Sequence, residues 1–446
     1  MTADTEPTGE AAAESPAGTV QRRAPFSDNP NVGARGQRTQ QRILDAALQV
    51  FGEVGYHRCS IDRIAKVAGC SRVSFYQYFS SKEDVFRHLA GQVARQVHAS
   101  TEALGPIGPD GDGWTALRSW VDRHSEIYER YEPVYQAFQA AAESDEAIAG
   151  GSVRTGAHTV ALLGSRLATT TLPARQLDPL IHLLLECLTR THDMAGILRS
   201  AAPDAYPRER VDDALADVIH RTLFGLHAAV NVHPPAPRRP SPLDFGPVMA
   251  DVLQRDDEPP ELTAAGRRTL DALLESGAEV LVRRGFHRAR VDDIVAAAGV
   301  SHGAFYRYFE NKEELAQILA VRAMRRVSTA LAEIPDAPTS DGPAGKDTAL
   351  RLWLRRYNAA HSTETAVIRV WADASLEDPA LRADSAAAYD WGRRQLARFL
   401  APRDFGDVDT EAVIMVGLLG GFGARERSAV TVDSAAYIIE RGLFGR

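Results

Sequence analysis

The chain has 446 residues, of which 44% are hydrophobic, so it is too long for one ordinary domain and apolar enough to form real cores. No apolar run reaches the roughly 18 residues that a membrane-spanning helix needs. The net charge of −8 and three cysteines without a C-x-x-C pair argue against an evenly basic nucleic-acid-binding protein and against a disulfide scaffold.

The chain begins with a segment of low complexity. Residues 1–35 are rich in Ala, Glu, Thr and Pro and lack the apolar region of a secretory signal. We predict a disordered tail on a cytoplasmic protein with reduced thiols.

Positive charge is concentrated in two segments. Residues 36–100 hold nine basic and five acidic residues, a net charge of +4, and residues 266–330 hold eleven and eight, a net charge of +3. The rest of the chain therefore carries −15. Two mildly basic patches on an acidic body are compatible with contact to phosphate through those patches alone.

The two basic segments repeat each other. Residues 55–83 and 285–313 share 14 identities in 29 positions without a gap, including Gly-aromatic-His-Arg at the start and an aromatic block followed by Lys-Glu at the end. Two fainter echoes follow, one between 138–148 and 371–381 and one between 219–225 and 439–445. The pattern predicts a tandem duplication, with a first unit over about 36–225 and a second over about 266–445.

Within each basic segment the pattern indicates four helices. Apolar residues recur at helical spacing, with almost no strand signal. Gly55 and Gly285 are expected to end the first helix with a positive φ. Ser60 is expected to cap the second helix. Four further residues are expected to cap the third and fourth helices: Ser71, Ser301, Ser81 and Asn311.

The whole chain is predicted to be all-α. We expect a tail (1–35), a first four-helix domain (36–100), a first helical regulatory domain (101–232), a linker rich in Pro (233–262), a second four-helix domain (263–330) and a second regulatory domain (331–446). The two four-helix domains are called the first head and the second head.

A long helix, a short helix, a tight turn and a second short helix form the helix-turn-helix pattern, whose second short helix enters the major groove of DNA. The strings Gly55-Tyr56 to Lys82-Glu83 and Gly285-Phe286 to Lys312-Glu313 resemble the tetracycline-repressor (TetR) family. The resemblance is strong over the helix-turn-helix segment of each unit and only architectural beyond it.

The resemblance implies a set of DNA contacts in each head. In the first head it assigns base edges to Arg72, Ser74 and Gln77, phosphate to Tyr76 and Lys82, and backbone contacts to Ser60 and Ser71. In the second head it assigns bases to His302, Ala304 and Arg307, and phosphate to Tyr306 and Lys312. Arg290, Ser301 and Gly303 are further candidate DNA-binding positions of this head. Phe75, Phe79, Phe305 and Phe309 are expected to hold the recognition helices in place.

Two positions depart from the family pattern. Val73 stands where the family commonly has Gly, whose missing side chain lets the backbone approach DNA, whereas Gly303 keeps that pattern. Arg290 replaces the hydroxyl residue that Ser60 represents. We therefore expect the two heads to read different sequences.

The resemblance further implies a small-molecule pocket in each unit and a four-helix pairing through residues 176–225 and 408–445. Glycines at 417, 420, 421 and 423 would allow close helix approach in that pairing. Candidate pocket residues, each also compatible with an ordinary core position, are Trp120, Tyr128, Tyr135, Phe138, Trp353, Tyr357, Trp371 and Tyr389. The effector is expected to be largely apolar and to change the separation of the two heads.

Other functions and arrangements remain open at this point. No catalytic motif with supporting context is present, and we expect neither a cofactor nor a metal, although His182, Glu186, His192 and Asp193 lie close together in the sequence. A helical protein-interaction adaptor, in which one or both heads no longer bind DNA, is the alternative function. The two units pair either within one chain, as a pseudo-dimer, or between chains, as a homodimer.

Overall fold

The structure is a computed structural model that describes residues 33–142, 146–167, 172, 174–226, 262–336, 348–375, 379–420 and 429–445. The predicted linker (233–262) lies outside these residues except for Leu262, and the predicted tail lies outside them except for residues 33–35. The glycines at 421 and 423 also lie outside them.

The first unit contains eight helices within its described residues. Their bounds are α1 Ala34–Val54, α2 Ile61–Val67, α3 Arg72–Tyr78, α4 Lys82–Glu102, α5 Gly111–Ala142, α6 Glu146–Arg166, α7 Ala174–Ala201 and α8 Arg208–Phe224. Helix α5 is kinked at Tyr131, where φ is −113°, because Pro133 follows within the helix and removes a backbone donor.

The second unit repeats this order. Its helices are α9 Ala264–Arg284, α10 Val291–Ala298, α11 His302–Tyr308, α12 Lys312–Ala332, α13 Ala349–Ser375, α14 Pro379–Leu400, α15 Val408–Gly420 and α16 Ala429–Tyr437, which continues as a π-helix over Ile438–Leu443. Every regular element of the described ranges is helical, so the all-α prediction is confirmed.

Local capping explains where the helices of the heads begin and end. The hydroxyls of Ser60 and Ser71 accept hydrogen bonds from the backbone N–H groups of Arg63 and Ser74, which satisfies donors that the first turn leaves unpaired. Ser301, Ser81 and Asn311 cap their helices in the same way. Gly55 and Gly285 have φ values of 77° and 72°, as expected for residues that end a helix.

The two units share one hydrophobic core. Side chains of α7 and α8 pack against α15, α16 and the π-helix, and buried residues of both units belong to a single apolar cluster. Across this contact the Cys187 Sγ lies 3.5 Å from the carbonyl oxygen of Ile414, and the Arg221 Nη2 lies 2.7 Å from the Glu411 Oε1. Each head has its own smaller core.

Among the described helices, none combines the length and hydropathy that crossing a lipid bilayer requires.

Candidate DNA-binding surface and ligand cavity

The first recognition helix, α3, is held by aromatic side chains and exposes its N-terminal end. Phe75 and Phe79 are fully buried, and their rings lie 6.0 Å apart in the core of the head. Arg72 and Gln77 are exposed, and Ser74 is half-buried. The helix therefore presents the side chains predicted to reach bases while its opposite face is fixed.

Helix α11 has the same construction. Phe305 is fully buried and Phe309 is nearly so, whereas His302 and Arg307 are exposed and Ala304 is half-buried. The structure thus brings the predicted base-reading residues of each head together on one short helix.

The first residue of each recognition helix pairs with an aspartate of the preceding helix. Arg72 Nη1 lies 3.3 Å from Asp62 Oδ2, and His302 Nε2 lies 2.6 Å from Asp292 Oδ1. All four side chains are more than half exposed. Exposed pairs of this kind contribute only about 0.2–1 kcal/mol, so a base edge can replace either carboxylate at little cost.

The tyrosines predicted to bind phosphate differ between the heads. Tyr76 is half-buried and packs edge-on against Phe75, with ring centroids 5.6 Å apart. Tyr306 has 58% of its surface exposed.

The lysines predicted to bind phosphate have a structural partner that the sequence did not reveal. The Nζ of Lys82 donates to the carbonyl of Tyr56 over 2.8 Å, and that of Lys312 donates to the carbonyl of Phe286 over 2.7 Å. Each ammonium lies 4.3 Å from the centroid of the same residue's ring. Burial lowers the pKa of Lys312. These lysines therefore tie the start of α4 and α12 to the turn before α2 and α10.

The remaining predicted contact positions lie at helix starts. Ser60, Ser71 and Ser301 are exposed but their hydroxyls cap helices, as described above. Arg290 is exposed and has no side-chain cap; the Asp293 carboxylate instead accepts from its backbone N–H over 3.1 Å.

The position of Val73 and Gly303 is open to solvent in both heads. The side chain of Val73 is 73% exposed. A Cβ at Gly303 would meet only the Ser301 Oγ, at 3.8 Å. The Val73 side chain therefore lies on the surface of the first head that is predicted to face DNA. At the equivalent Gly303 of the second head, the backbone has no side chain in front of it.

The two heads touch through an unexpected pair. His57 and His287, which occupy the same position of the repeat, stack with ring centroids 4.7 Å apart. The repeated Gly-aromatic-His-Arg string was visible in the sequence, but only as a marker of duplication.

A large cavity lies in the regulatory part of the first unit. It has a volume of about 610 Å³ and is bordered by α4, α5, α6 and α7. Tyr135 and Phe138, both predicted pocket residues, line it, and Tyr389 reaches it from α14.

The corresponding cavity of the second unit is smaller. It has a volume of about 110 Å³ and lies among α12, α13, α14 and α15, with Tyr357 and Tyr389 on its wall. Arg190 and Met194 of α7 complete its lining and, like Tyr389, also line the large cavity.

The other four candidate pocket residues line neither of these two cavities. Trp120 borders a separate apolar cavity of about 30 Å³ and donates to the Thr101 hydroxyl over 3.2 Å. Tyr128 is buried and donates to the Asp193 carboxylate. Trp353 donates to the carbonyl of Ala330 over 3.0 Å, and Trp371 is buried. All four side chains are packed between helices, and their role as pocket residues stays a prediction.

Of the four polar residues weighed as a metal site, Asp193 lines the large cavity with two others. His182 and Glu186 line the large cavity, while the His192 Nε2 lies 3.0 Å from the Ser125 hydroxyl. In the parts of the chain that the structure describes, no three His, Cys, Asp or Glu side chains are grouped as metal ligands.

Comparison with known proteins matches both heads to one family. The family described as bacterial regulatory proteins, tetR family, matches residues 43–89 and 273–318. These ranges include the whole second and third helices of each head and parts of the first and fourth.

Individual relatives are also transcriptional regulators. An uncharacterized HTH-type transcriptional regulator of Bacillus subtilis, YvdT, is 34% identical over 94 residues, which are 21% of this chain and 47% of the relative. The fatty acid metabolism regulator protein of Bacillus subtilis is 42% identical over 55 residues, or 11% of this chain and 28% of the relative. The chain thus spans less than half the length of these relatives.

One relative is matched almost throughout. The HTH-type transcriptional regulator EthR of Mycobacterium tuberculosis is 29% identical over 207 residues, which are 43% of this chain and 93% of that protein. A single unit of this chain therefore has the extent of a whole regulator. The two family matches and these relatives together support a regulator of the tetR family with two units in one chain.

Proposed function

We propose that the chain is a transcriptional repressor that binds one DNA operator with both heads and releases it when a small, largely apolar effector binds. The observation that carries this proposal is the shared construction of α3 and α11. Each is a short helix whose aromatic face is buried and whose polar N-terminal face is exposed, as insertion into a major groove requires.

The second step is that one chain supplies both heads. Single-unit regulators need two chains to reach successive major grooves, whose centres are about 34–36 Å apart. Here α7 and α8 pack on α15 and α16 of the same chain, and the buried Arg221–Glu411 pair lies in that contact. Internal pairing of the units supports a pseudo-dimer that binds as a single chain.

The third step concerns the operator. The first head offers Arg72, Ser74 and Gln77, while the second offers His302, Ala304 and Arg307. Arginine favours guanine and glutamine favours adenine in the major groove. The two half-sites should therefore differ, unlike the palindromes that symmetric dimers read.

The route from effector to DNA runs through α4. Its middle turns, from Arg87 to Val97, border the large cavity, and its first residue, Lys82, is bound to the turn of the head. A ligand that shifts α4 would move the head and disfavour the spacing that DNA needs, which is a population shift between two states.

Selection of binding sites from random double-stranded DNA with the full chain tests the proposal. We expect an asymmetric site with two half-sites, and affinity that falls steeply as salt rises because phosphate contacts release counterions. Analytical ultracentrifugation should show one chain on each operator. Two chains per short operator would overturn the internal pairing, and the absence of any salt-sensitive DNA binding would overturn the proposed function in favour of a protein-interaction adaptor.

A further inference from the structure

The two units differ most in the space enclosed by their equivalent helices. The cavity among α4, α5, α6 and α7 has a volume of about 610 Å³. The described residues of α12, α13, α14 and α15 border a cavity of about 110 Å³. Ligand sites in proteins usually measure about 300–1,000 Å³, so only the first cavity reaches that size.

The sequence repeat explains the difference in volume. The alignment that pairs Gly55 with Gly285 places Met324 of α12 at the position of Ala94 in α4. The alignment of the fainter echo, 138–148 with 371–381, also pairs Thr159 with Gly392, and these two residues line the two cavities. The helices of the two units are therefore in equivalent register around the two cavities.

In that register, three residues of the second cavity are smaller than their counterparts in the first, since Tyr135 corresponds to Ile368, Thr155 to Ala388 and Thr159 to Gly392. Three others are larger. Ala94 corresponds to Met324, His124 to Tyr357 and Gly156 to Tyr389. All three larger side chains line the smaller cavity. The three enlargements, from Ala to Met, from His to Tyr and from Gly to Tyr, add more side-chain volume than the three reductions remove. The second cavity is therefore the more filled of the two, although Tyr389 also reaches the first.

His124 gives the open cavity a polar anchor. Its side chain lines the cavity and is only 5% exposed, and neither ring nitrogen has a hydrogen-bond partner among the described residues. A buried polar group without a partner has lost its hydrogen bonds to water, and a ligand that supplies a partner recovers that loss. Burial lowers the pKa of His124 to about 4, so the ring is neutral at pH 7 and offers one donor and one acceptor.

The walls around His124 favour an uncharged ligand. They are mostly aliphatic or aromatic, with Val97, Val134 and Phe138 among them. Their charged groups include both signs, and Arg190 lies 3.9 Å from Asp193. A ligand charge placed beside a neutral imidazole in such a site would lose its hydration without a dedicated counter-charge.

We propose that the first unit alone senses the effector: each chain binds one molecule, an apolar compound whose uncharged hydrogen-bonding group pairs with His124, while the second unit follows through the shared core. This inference rests on the proposed function for its regulatory meaning. The binding itself is measured without DNA, so a failure of DNA release and a failure of the site are separate results.

Stoichiometry is tested with Prodan, an uncharged naphthalene ketone whose fluorescence reports an apolar environment. Titration of the full chain should reach saturation at one dye per chain. A Cβ at Gly156 would have its nearest neighbour, His182 Cε1, at 3.9 Å, so Gly156→Leu fits the helix and fills the cavity. Gly392→Leu is the matched control, because a Cβ there has Val416 Cγ2 at 3.8 Å and faces the second cavity.

Gly156→Leu should weaken dye binding at least about tenfold, a change of about 1.4 kcal/mol, and Gly392→Leu should leave it unchanged. Circular dichroism checks that both variants are folded, and Ala94→Met provides a second way to fill the first cavity. Two dyes per chain, or equal loss in Gly156→Leu and Gly392→Leu, would overturn the assignment to the first unit.

The role of His124 is tested by His124→Leu, which replaces the imidazole with an apolar side chain of similar size. Prodan binding should weaken about tenfold, while binding of a hydrocarbon naphthalene of similar shape should not. Equal effects on both probes would refute hydrogen bonding by His124. Dodecanol should displace the dye; displacement by dodecanoate or dodecylammonium but not by dodecanol would refute the preference for an uncharged group.

Discussion

The imidazole of His57 stacks on that of His287, with ring centroids 4.7 Å apart and ring planes 28° apart. The two residues hold the same place in the repeat, so the contact joins equivalent points of the two heads. Any change in the separation of the heads must break or slide this stack, which makes the pair a natural reporter of head position.

The stack should make the contact between the heads sensitive to acid. Burial, followed by the neighbouring His287 and by Lys82, Arg288 and Lys312, lowers the pKa of His57 to about 4. Burial again comes first in lowering the pKa of His287 to about 4, with Lys312 and Arg58 adding to it and Glu313 opposing it.

Both rings are therefore neutral in the contact at pH 7. Separated or unfolded heads take up protons below their ordinary pKa of about 6.5, before the stacked rings do, so the stability of the contact is present above that pH and falls as the pH drops toward 4. We expect the melting temperature of the wild type to fall more between pH 7 and 5 than that of a His57→Phe/His287→Phe variant. His98→Phe, outside the head contact, is the control, and equal acid sensitivity of all three proteins would contradict the prediction.

The heads were predictable from the sequence because their structure is determined locally. The Ser71 hydroxyl accepts from the backbone N–H three residues ahead, and Phe75 and Phe79, four residues apart, both place their rings in the core of the head. Such relations are set by residues only a few positions apart.

The contacts between the two units could not be predicted from the sequence. Arg221 and Glu411 are 190 residues apart and meet only because α8 packs on the second unit. The cavity was also invisible, since its volume depends on which side chains of four helices meet. For the same reason Trp120 and Trp353, which look alike as pocket candidates, turn out to hydrogen-bond to Thr101 and Ala330 within the packed helices.

Glu411 should be among the most sensitive positions of the interface between the units. It is fully buried, lies 2.7 Å from Arg221 and also accepts from Arg403. Glu411→Leu would remove the carboxylate that pairs with Arg403 and would leave Arg221 only the more distant Asp217, at 3.9 Å. Removing one partner of a buried ion pair costs about 3–5 kcal/mol. Urea unfolding followed by circular dichroism measures this loss.

An exposed ion pair provides the matched control. Arg283 and Glu279 lie 2.8 Å apart with side chains 56% and 65% exposed. Glu279→Gln should change the free energy of unfolding by no more than about 1 kcal/mol. Similar losses in Glu411→Leu and Glu279→Gln would show that the buried pair does not stabilise the contact between the units.

The two recognition helices should control different half-sites. Arg307→Ala should relax base preference in one half of the selected operator and Gln77→Ala in the other, each by about 1–3 kcal/mol of discrimination. Arg283→Ala removes a comparable charge from α9, away from α11, and should leave both preferences intact. Competition binding against operators with single base changes measures the effect. If Arg307→Ala and Gln77→Ala both lost base discrimination at the same half-site, the two heads would not read separate half-sites.

Gly442 should be intolerant of even one added carbon. It lies where the π-helix meets α8, and a Cβ would overlap the Thr222 hydroxyl and lie 2.9 Å from the carbonyl oxygen of Val218. Gly442→Ala should therefore destabilise the protein by about 1–3 kcal/mol, although alanine is otherwise favoured over glycine in helices. At Gly420 the nearest atom, Met194 Cε, is 3.5 Å away, so Gly420→Ala should be neutral or stabilising.

Adding Thr222→Ala should recover part of the Gly442→Ala loss, because it removes the hydroxyl but not the Val218 carbonyl. Thr222 and Gly442 are equivalent positions of the repeat, so the contact pairs a larger side chain of one unit with a missing side chain of the other. Two first units paired in the same way would bring Thr222 against Thr222, where the present fit leaves room for only one side chain. Urea unfolding of the three variants checks the order of stability, and a Gly442→Ala protein as stable as Gly420→Ala would remove this reason for the units to pair with each other.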